Sequence, residues 1–409
     1  MSSRSDTSTK AGRCYEVSGG GPLSGIRVVD VSNTFMVPYT TLLMAQMGAE
    51  VIKIEEPSGD ILRQVGDMDG TAAGPVFLNA NRGKKSVVLD LSKRTDYQRL
   101  LLLVRTADVF THNRPPSAAR RLGIDYEALS KVNPSIIHCS ASGYGSNGPY
   151  GDLPAYDDVI QAASGFAYVQ TNGGDPQYVR SAIADKTTAL FVLAGALAAL
   201  FERERSGMGQ AVEIPMFESM ISFLFLEQQG GAVYDPPRGP TGYARINSAF
   251  RHPYRTVDGL IGVMIYTDRQ WRSFFELIDN PELGGDARFA TMAARTVNTD
   301  LLYATLEHEL ARRTTDEWLE LLQARRIPAM RINSITELFS DPHVEATGLV
   351  ERTDHPVVGP TRGIRLPIRF LRSSPAPTGR APLLGEHNAW LDALTESMRS
   401  QIATATKGE

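Results

Sequence analysis

Between Ile26 and Ser140 the chain alternates short β-branched runs with stretches of helical character, and this alternation restricts what it can fold into. IRVVDV (26–31) precedes the helical PYTTLLMAQMGAE (38–50), VIKIE (51–55) follows, and SVVLDL (86–91) comes later. The pattern predicts a helix over 96–105, a strand over 108–112, helices at 118–122 and 126–132, and a strand at 136–140. Strands separated by helices need crossover connections, so the sheet is expected to be parallel and doubly wound, with ligands bound at the carboxyl ends of its strands. A dinucleotide loop does not fit. The glycines of Ser18-Gly-Gly-Gly-Pro22 precede the first strand, whereas the phosphate fingerprint follows it, where this chain has Ser32-Asn-Thr-Phe-Met-Val-Pro38.

Further on, residues 229–243 are dense in Gly and Pro and read as a crossing linker. A strand at 259–266 and helices at 270–278, 301–312 and 315–325 suggest a small α+β unit. After Phe339-Ser-Asp-Pro342 the chain turns irregular, with a strand-like stretch at 364–370 and a terminal helix from about Asn388. The expected division is a loose tail at 1–20, a large doubly wound domain at 21–228, a linker and small α+β domain at 229–338, and a return segment at 339–409 that completes the large domain.

A formal net charge of -4 offers no basic field for nucleic acid or an anionic membrane, and neither is expected as a partner. Cys14 and Cys139 are the two cysteines, so no disulfide framework or zinc spacing arises and no metal site is expected. The first twenty residues lack the apolar core of a secretory signal, and a reducing, cytoplasmic location is expected. The apolar run Thr187 to Phe201, TTALFVLAGALAALF, is short for a bilayer and reads as a core helix.

Asp185 stands where that helix begins. Helix N-termini present unpaired N–H groups and a positive dipole end, so a carboxylate there tends to remain ionised, and an ionised carboxylate is a nucleophile. On position alone the plainer role is a cap, contributing about 1 kcal/mol.

Eight segments in order change that balance. Pro22-Leu-Ser-Gly-Ile-Arg-Val-Val-Asp30, Gly48-Ala-Glu-Val-Ile-Lys-Ile-Glu55, Lys84-Lys-Ser-Val-Val-Leu-Asp90, Leu122-Gly-Ile-Asp-Tyr126, Ala184-Asp185, Arg205-Ser-Gly-Met-Gly-Gln210, Thr256-Val-Asp-Gly259 and Pro382-Leu-Leu-Gly385 resemble the class III CoA-transferases, the CaiB/BaiF family that includes formyl-CoA transferase. The resemblance covers nearly the whole chain, from about Pro22 to Leu394. It implies that Asp185 is acylated by an acyl-CoA to an aspartyl anhydride and then converted to an aspartyl-CoA thioester, which hands CoA to a free acid. CoA and acyl-CoA are then substrates, and no permanently bound cofactor is expected.

The same resemblance makes the large domain a Rossmann-like CoA-binding domain and implies CoA contacts at Asn33, Leu89, Asn113 and Arg121, with Met36 along the pantetheine or acyl channel. Lys84 and Lys85 could add charge there, although loop lysines are commonly just solvated. Phe35 and Tyr156 would line the acyl site, Asn33 and Phe35 replacing a His and a Gln of the formyl-CoA branch. A racemase branch of the family uses a His/Asp pair where this chain has Tyr156-Asp157, and a tyrosine, with its reference pKa near 10, is a poor base for an α-proton. For Tyr156 a core position with a satisfied hydroxyl is the alternative. Arg245, Arg251 and His252 could bind the distal carboxylate of a dicarboxylic acid, with succinyl-CoA as donor; a domain-bridging or exposed arginine is the duller reading. A family racemase or isomerase and a CoA-binding protein without turnover remain the alternatives. The resemblance further implies a homodimer of interlocked chains.

Overall fold

The computed structural model describes residues 20–171 and 174–405. Nearly all of the tail expected at 1–20, with Cys14, lies outside the described residues. Contacts divide the chain into two compact units. One comprises residues up to 156 with 184–216 and those from 348 onward, and the other comprises 157–183 and 217–347.

The large unit is built on six parallel strands: β1 (Arg27–Val31), β2 (Glu50–Glu55), β3 (Lys85–Val88), β4 (Val109–His112), β5 (Ile137–Ser142) and β6 (Gln210–Pro215). Their order is β3-β2-β1-β4-β5-β6, the doubly wound order that reverses direction between β1 and β4. Thus the winding is that of dinucleotide-binding sheets, while the glycine fingerprint is missing from the first turn. Strand β6 was not anticipated. Its sequence, QAVEIP, is mostly polar or half-exposed because it forms the sheet's edge.

Helix α1 (Met36–Gln46) follows β1, α2 (Arg94–Thr106) and α3 (Pro116–Leu122) flank β4, α4 (Ile183–Ser206) precedes β6, and α5 (Asn388–Ala405) ends the described chain. Val29, Ile52, Ile54, Val87 and Phe110 of the strands pack with Leu100 and Leu103 of α2 and with Leu391 of α5 in one buried cluster. Burying a leucine in such a cluster contributes about 1.5–3 kcal/mol, so α5 is an integral layer of the sheet domain. The strand expected at 364–370 is displaced. β10 (Val350–His355) and β11 (Gly359–Ile364) form an antiparallel hairpin that ends at Ile364, and Pro367, which has no N–H for a ladder, lies just beyond.

At 24 residues, α4 is longer than its apolar run suggested and is, by length and composition alone, long and apolar enough to cross a membrane. Half of its apolar window is buried within the protein, as in a core helix.

The small unit has β7 (Tyr254–Arg255), β8 (Leu260–Val263) and β9 (Ala329–Arg331) as an antiparallel sheet. Helices Asp268–Leu277, Thr299–Leu310 and Thr315–Ala324 cover it around Trp271, Phe274, Leu306 and Trp318. Thr267 with Gln270 and Thr314 with Glu317 close two capping boxes. This unit takes in helix Met216–Gln228 from residue 217, earlier than the linker at 229 suggested. The reason is packing: Phe223 stacks on Phe166 with centroids 6.4 Å apart, and the Gln228 and Asn247 amides bond each other at 3.1 and 3.2 Å.

Candidate active site

At the carboxyl ends of β1, β2 and β3 a cavity of about 410 Å³ opens, lined by Ser32, Asn33, Glu55, Glu56, Asp60, Leu89, Asp90, Ser92, Arg114 and Leu122 among others. It reaches across the point where strand order reverses, since Asn33 follows β1 and Arg114 follows β4. That is where an open parallel sheet leaves a crevice, because the connections on either side run to opposite faces. The cavity's rear wall is the loop after β1. Asn113 holds this loop from the neighbouring strand: its Nδ2 donates to the Asn33 carbonyl at 2.8 Å and its Oδ1 accepts from the Asn33 N–H at 3.3 Å.

Of the residues the sequence singled out, Asn33 and Leu89 line this cavity, and Asn113 stands directly behind it. Arg121 is exposed on the last turn of α3, while its neighbour Leu122 lines the wall. The guanidinium the cavity does contain is that of Arg114, whose Nη2 donates to Glu56 Oε1 at 2.6 Å. Sequence reasoning stopped at Asn113 and passed over Arg114, although the two share one loop.

Lys84 and Lys85 stand apart from the cavity lining. Lys84 is 3% exposed; its Nζ lies 3.3 Å from Asp30 Oδ2 and donates to Asn81 Oδ1 at 2.8 Å and to the Pro38 carbonyl at 2.9 Å. It is therefore neither solvated nor directed at a ligand. Lys85 pairs with Glu50 and lies 4.9 Å from the Trp390 ring centre, a surface tie between β2, β3 and α5.

At and beneath the cavity floor, where Glu55 and Asp60 reach the lining, Asp30, Lys53, Glu55, Asp60, Arg63 and Lys84 are all buried. Arg63 forks onto Glu55 with both bonds at 2.8 Å, and Lys53 lies 2.9 Å from Asp60. Burial opposes the charges of Asp30, Lys53 and Glu55, yet their partners more than compensate. Lys53 is raised above its ordinary value by Asp30, Asp60 and Glu55, and Asp30 is lowered by Lys84 and Lys53. Lys84 goes the other way, pushed down to about 8 by burial, with Lys53 repelling it. The two members of the Asp30 and Lys84 contact thus differ because Asp30 faces two ammonium groups and Lys84 only one carboxylate at short range.

Asp185 lies half-buried in the first turn of α4, two residues inside the start at Ile183, so it is an intrahelical carboxylate rather than the cap. A carboxylate there gains about 0.3–1 kcal/mol from the helix dipole. Helix α4 is fastened at both ends: Thr40 Oγ1 of α1 donates to the Ala189 carbonyl at 2.9 Å, and Arg203 Nη2 pairs with Asp108 Oδ1 at 3.0 Å. Ala189 is one turn beyond Asp185, and Thr40 is one turn beyond Met36. The Thr40 to Ala189 bond therefore ties the helix of Asp185 to the helix that begins at the cavity's rear loop, Asp185 and Met36 each standing four residues, about 6 Å of rise, from the contact. Met36 is 4% exposed, inside the protein at the head of α1, and Phe35 packs on Leu62, Phe77 and Ala381. Tyr156 is 73% exposed, so a core tyrosine with a satisfied hydroxyl is not what the fold makes of it.

Arg245, Arg251 and His252 come together in the small unit. They line a cavity of about 550 Å³ with Tyr254, Val263, Met264, Tyr303 and Met330. Arg245 Nε donates to the Tyr243 hydroxyl at 3.2 Å, and His252 Nε2 is 3.4 Å from Glu307 Oε1. An apolar floor with a cationic rim suits a carboxylate on a short aliphatic stem. Among the described residues no cluster of His, Cys, Asp or Glu has the grouping of a metal site.

Residues 23–388 match the sequence profile of CoA-transferase family III. The chain is similar to the succinate--glutarate CoA-transferase of Agrobacterium fabrum, 32% identical over 92% of this chain and 96% of that protein. It is similar also to the succinyl-CoA:mesaconate CoA-transferase of Haloarcula hispanica, 32% identical over 91% and 96%. Among solved structures, a CaiB/BaiF family protein from Brucella suis superposes with a TM-score of 0.77 at 31% identity, covering 91% of this chain and 99% of that one. A family profile matched over residues 23–388, with relatives of 32% identity that span nine-tenths of the chain, makes the assignment: this protein belongs to CoA-transferase family III and is a CoA-transferase, with CoA thioesters as substrates.

Proposed function

We propose that the chain moves CoA from succinyl-CoA to a free carboxylic acid by covalent catalysis at Asp185. The observation that carries the reading is the coupling of the Asp185 turn to α1 and its preceding cavity loop through Thr40 and Ala189. An Asp185 oxygen attacks the thioester carbonyl; the tetrahedral intermediate collapses, the C–S bond breaks, and CoA leaves as its thiolate. The product is a mixed anhydride between the aspartyl and donor acyl groups. The thiolate then attacks the aspartyl carbonyl, the donor acid leaves as a carboxylate, and an aspartyl-CoA thioester remains. The acceptor carboxylate attacks that thioester, and returning thiolate takes the acceptor acyl group, restoring Asp185. One thioester is consumed and another is formed, so the overall exchange is nearly balanced in energy and needs no nucleotide hydrolysis.

In this reading the large-unit cavity holds the nucleotide end of CoA. Arg114 is its phosphate contact, with Arg121 at the mouth. Glu56 and Asp90 are acceptors suited to ribose hydroxyls and the adenine amine, and Asn33, Leu89 and Asn113 form the wall. Met36 and Phe35 border the acyl path, with Tyr156 at its entrance. Arg245, Arg251 and His252 take the distal carboxylate of a dicarboxylic acid, which the names of the Agrobacterium and Haloarcula relatives support. The enzyme works as an interlocked homodimer in the cytoplasm, where CoA esters are supplied. The apolar face of α4, with Leu190, Phe191 and Phe201 at 52%, 39% and 67% exposed, supports a covering second chain.

The test is to incubate the enzyme with succinyl-CoA and look by mass spectrometry for an acyl or CoA adduct on the peptide that carries Asp185. Solvent deuterium at the acyl α-carbon is followed in parallel. Adduct formation that disappears in Asp185→Asn, together with a loss of at least about 10³-fold in kcat, is expected. Deuterium entry without any adduct would point to the racemase reaction instead.

A further inference from the structure

The loop that walls the cavity carries a strained residue, and buried charge grips the loop on both sides of it. Thr34 has φ of 63°, in the left-handed region that a β-branched side chain rarely enters. Its hydroxyl donates to the Asn33 carbonyl at 2.6 Å, which does not by itself dictate that conformation. The backbone around it is anchored at three places. Lys53 Nζ donates to the Ser32 carbonyl at 2.8 Å; Asp60 Oδ1 accepts the Thr34 N–H at 3.3 Å; and Asp30 accepts the Ser32 N–H at 3.1 Å as well as the Ser32 hydroxyl. Asp60 is itself fixed, its Oδ2 2.9 Å from Lys53 Nζ and its own N–H donating to Glu55 Oε2 at 3.0 Å. A strained backbone persists where its surroundings over-determine it. The result is that Ser32 and Asn33 face the cavity instead of relaxing away from it.

Resting on the reading that this cavity takes CoA, we propose that Asp60, backed by Lys53, is a positioning residue for CoA binding: it holds Thr34 left-handed and so keeps Ser32 and Asn33 in place as the wall of the site. Neither side chain is asked to take part in acyl transfer.

Free CoA is the probe, titrated calorimetrically into the full chain and its variants, with the folded fraction fixed by thermal melting. Asp60→Ala removes the acceptor for the Thr34 N–H and is expected to raise Kd at least about tenfold. Asp60→Asn retains an acceptor oxygen and should stay within about threefold of the parent. Thr34→Pro, whose ring forbids a positive φ and which has no N–H, should match Asp60→Ala while leaving the charge network intact. Thr34→Gly removes the strain and should bind as the parent does. Combined with Asp60→Ala it should recover most of the lost affinity, a rescue that a general loss of stability would not show. Should Asp60→Ala fail to fold, Thr34→Pro decides. The proposal is overturned if the folded Thr34→Pro and Asp60→Ala proteins bind CoA within about threefold of the parent. A parent chain that does not bind CoA would sink the cavity assignment and this inference together, an outcome distinct from binding retained by the variants.

Discussion

The two cavities of this enzyme are built in opposite ways. That of the large unit is walled by strand-end loops whose backbone is tied to fully buried, mutually paired charges, with Lys53 and Asp30 both at 0% exposure. That of the small unit is a shallow apolar surface with Arg251 exposed and His252 only partly covered beside it. A buried ion pair fixes geometry at a high desolvation cost and cannot adjust, whereas a flexible arginine on a rim can follow its ligand. The contrast suits an enzyme in which one part of every substrate, the CoA moiety, is invariant and the other, the acid, is where relatives differ.

The contrast is most easily broken by attacking the buried charges. Lys53→Met leaves Asp60 and Asp30 short of a partner and should destabilise the protein by about 3–5 kcal/mol. Arg251→Ala, on the rim, should leave the denaturation midpoint nearly unchanged. Equal effects in a urea melt would mean that the two sites are held in the same manner.

Acid should discriminate too. His112, at the end of β4, is 1% exposed, and burial with His138 and Arg114 nearby pushes it down to about 3. Between pH 6.5 and about 3 the unfolded chain therefore binds a proton that the folded chain does not, so stability falls as pH falls, by up to about 1.4 kcal/mol per pH unit. Asp30 and Glu55, lowered despite burial by their cationic partners, add a second arm that begins near their ordinary values of 3.8 and 4.5 and runs down in pH until they protonate in the fold. Replacing His112 with Phe should flatten the urea-midpoint profile between pH 6.5 and 4; an unchanged profile would refute that origin.

A finer division lies in the kinetics. Arg114→Ala should raise KM for the CoA donor about tenfold with little change for the acid, and Arg251→Ala should raise KM for a dicarboxylic acceptor by a similar factor while a monocarboxylic acid is unaffected. If both variants moved the same constant, the assignment of separate tasks to the two cavities would fall.

Much of the large unit was legible because its strands β1 to β5 are short apolar runs bounded by helical stretches, a pattern set by burial on both faces. Strand β6 escaped because edge position allows polar residues, and the hairpin near 350–364 was misplaced because its register is set by pairing, not by hydrophobicity. The place of Asp185 at the start of an apolar helix was legible in the sequence, and the family was legible in the order of segments around it. Arg114 was not, and Lys84 was misleading, because a lysine's fate depends on whether distant Asp30 and Asn81 meet it in the fold.

The sequence by itself determined the alternation of strands and helices, the family, and the carboxylate that begins α4, since each is a matter of local pattern or of order along the chain. Tertiary structure alone decided the rest: that Asn33, Leu89 and Arg114 share one cavity, that six charges from separate segments cancel beneath it, and that Thr34 is turned left-handed above them. Such facts depend on which groups meet after the chain folds, and the energy of a buried charge is set by those neighbours and not by its own place in the sequence.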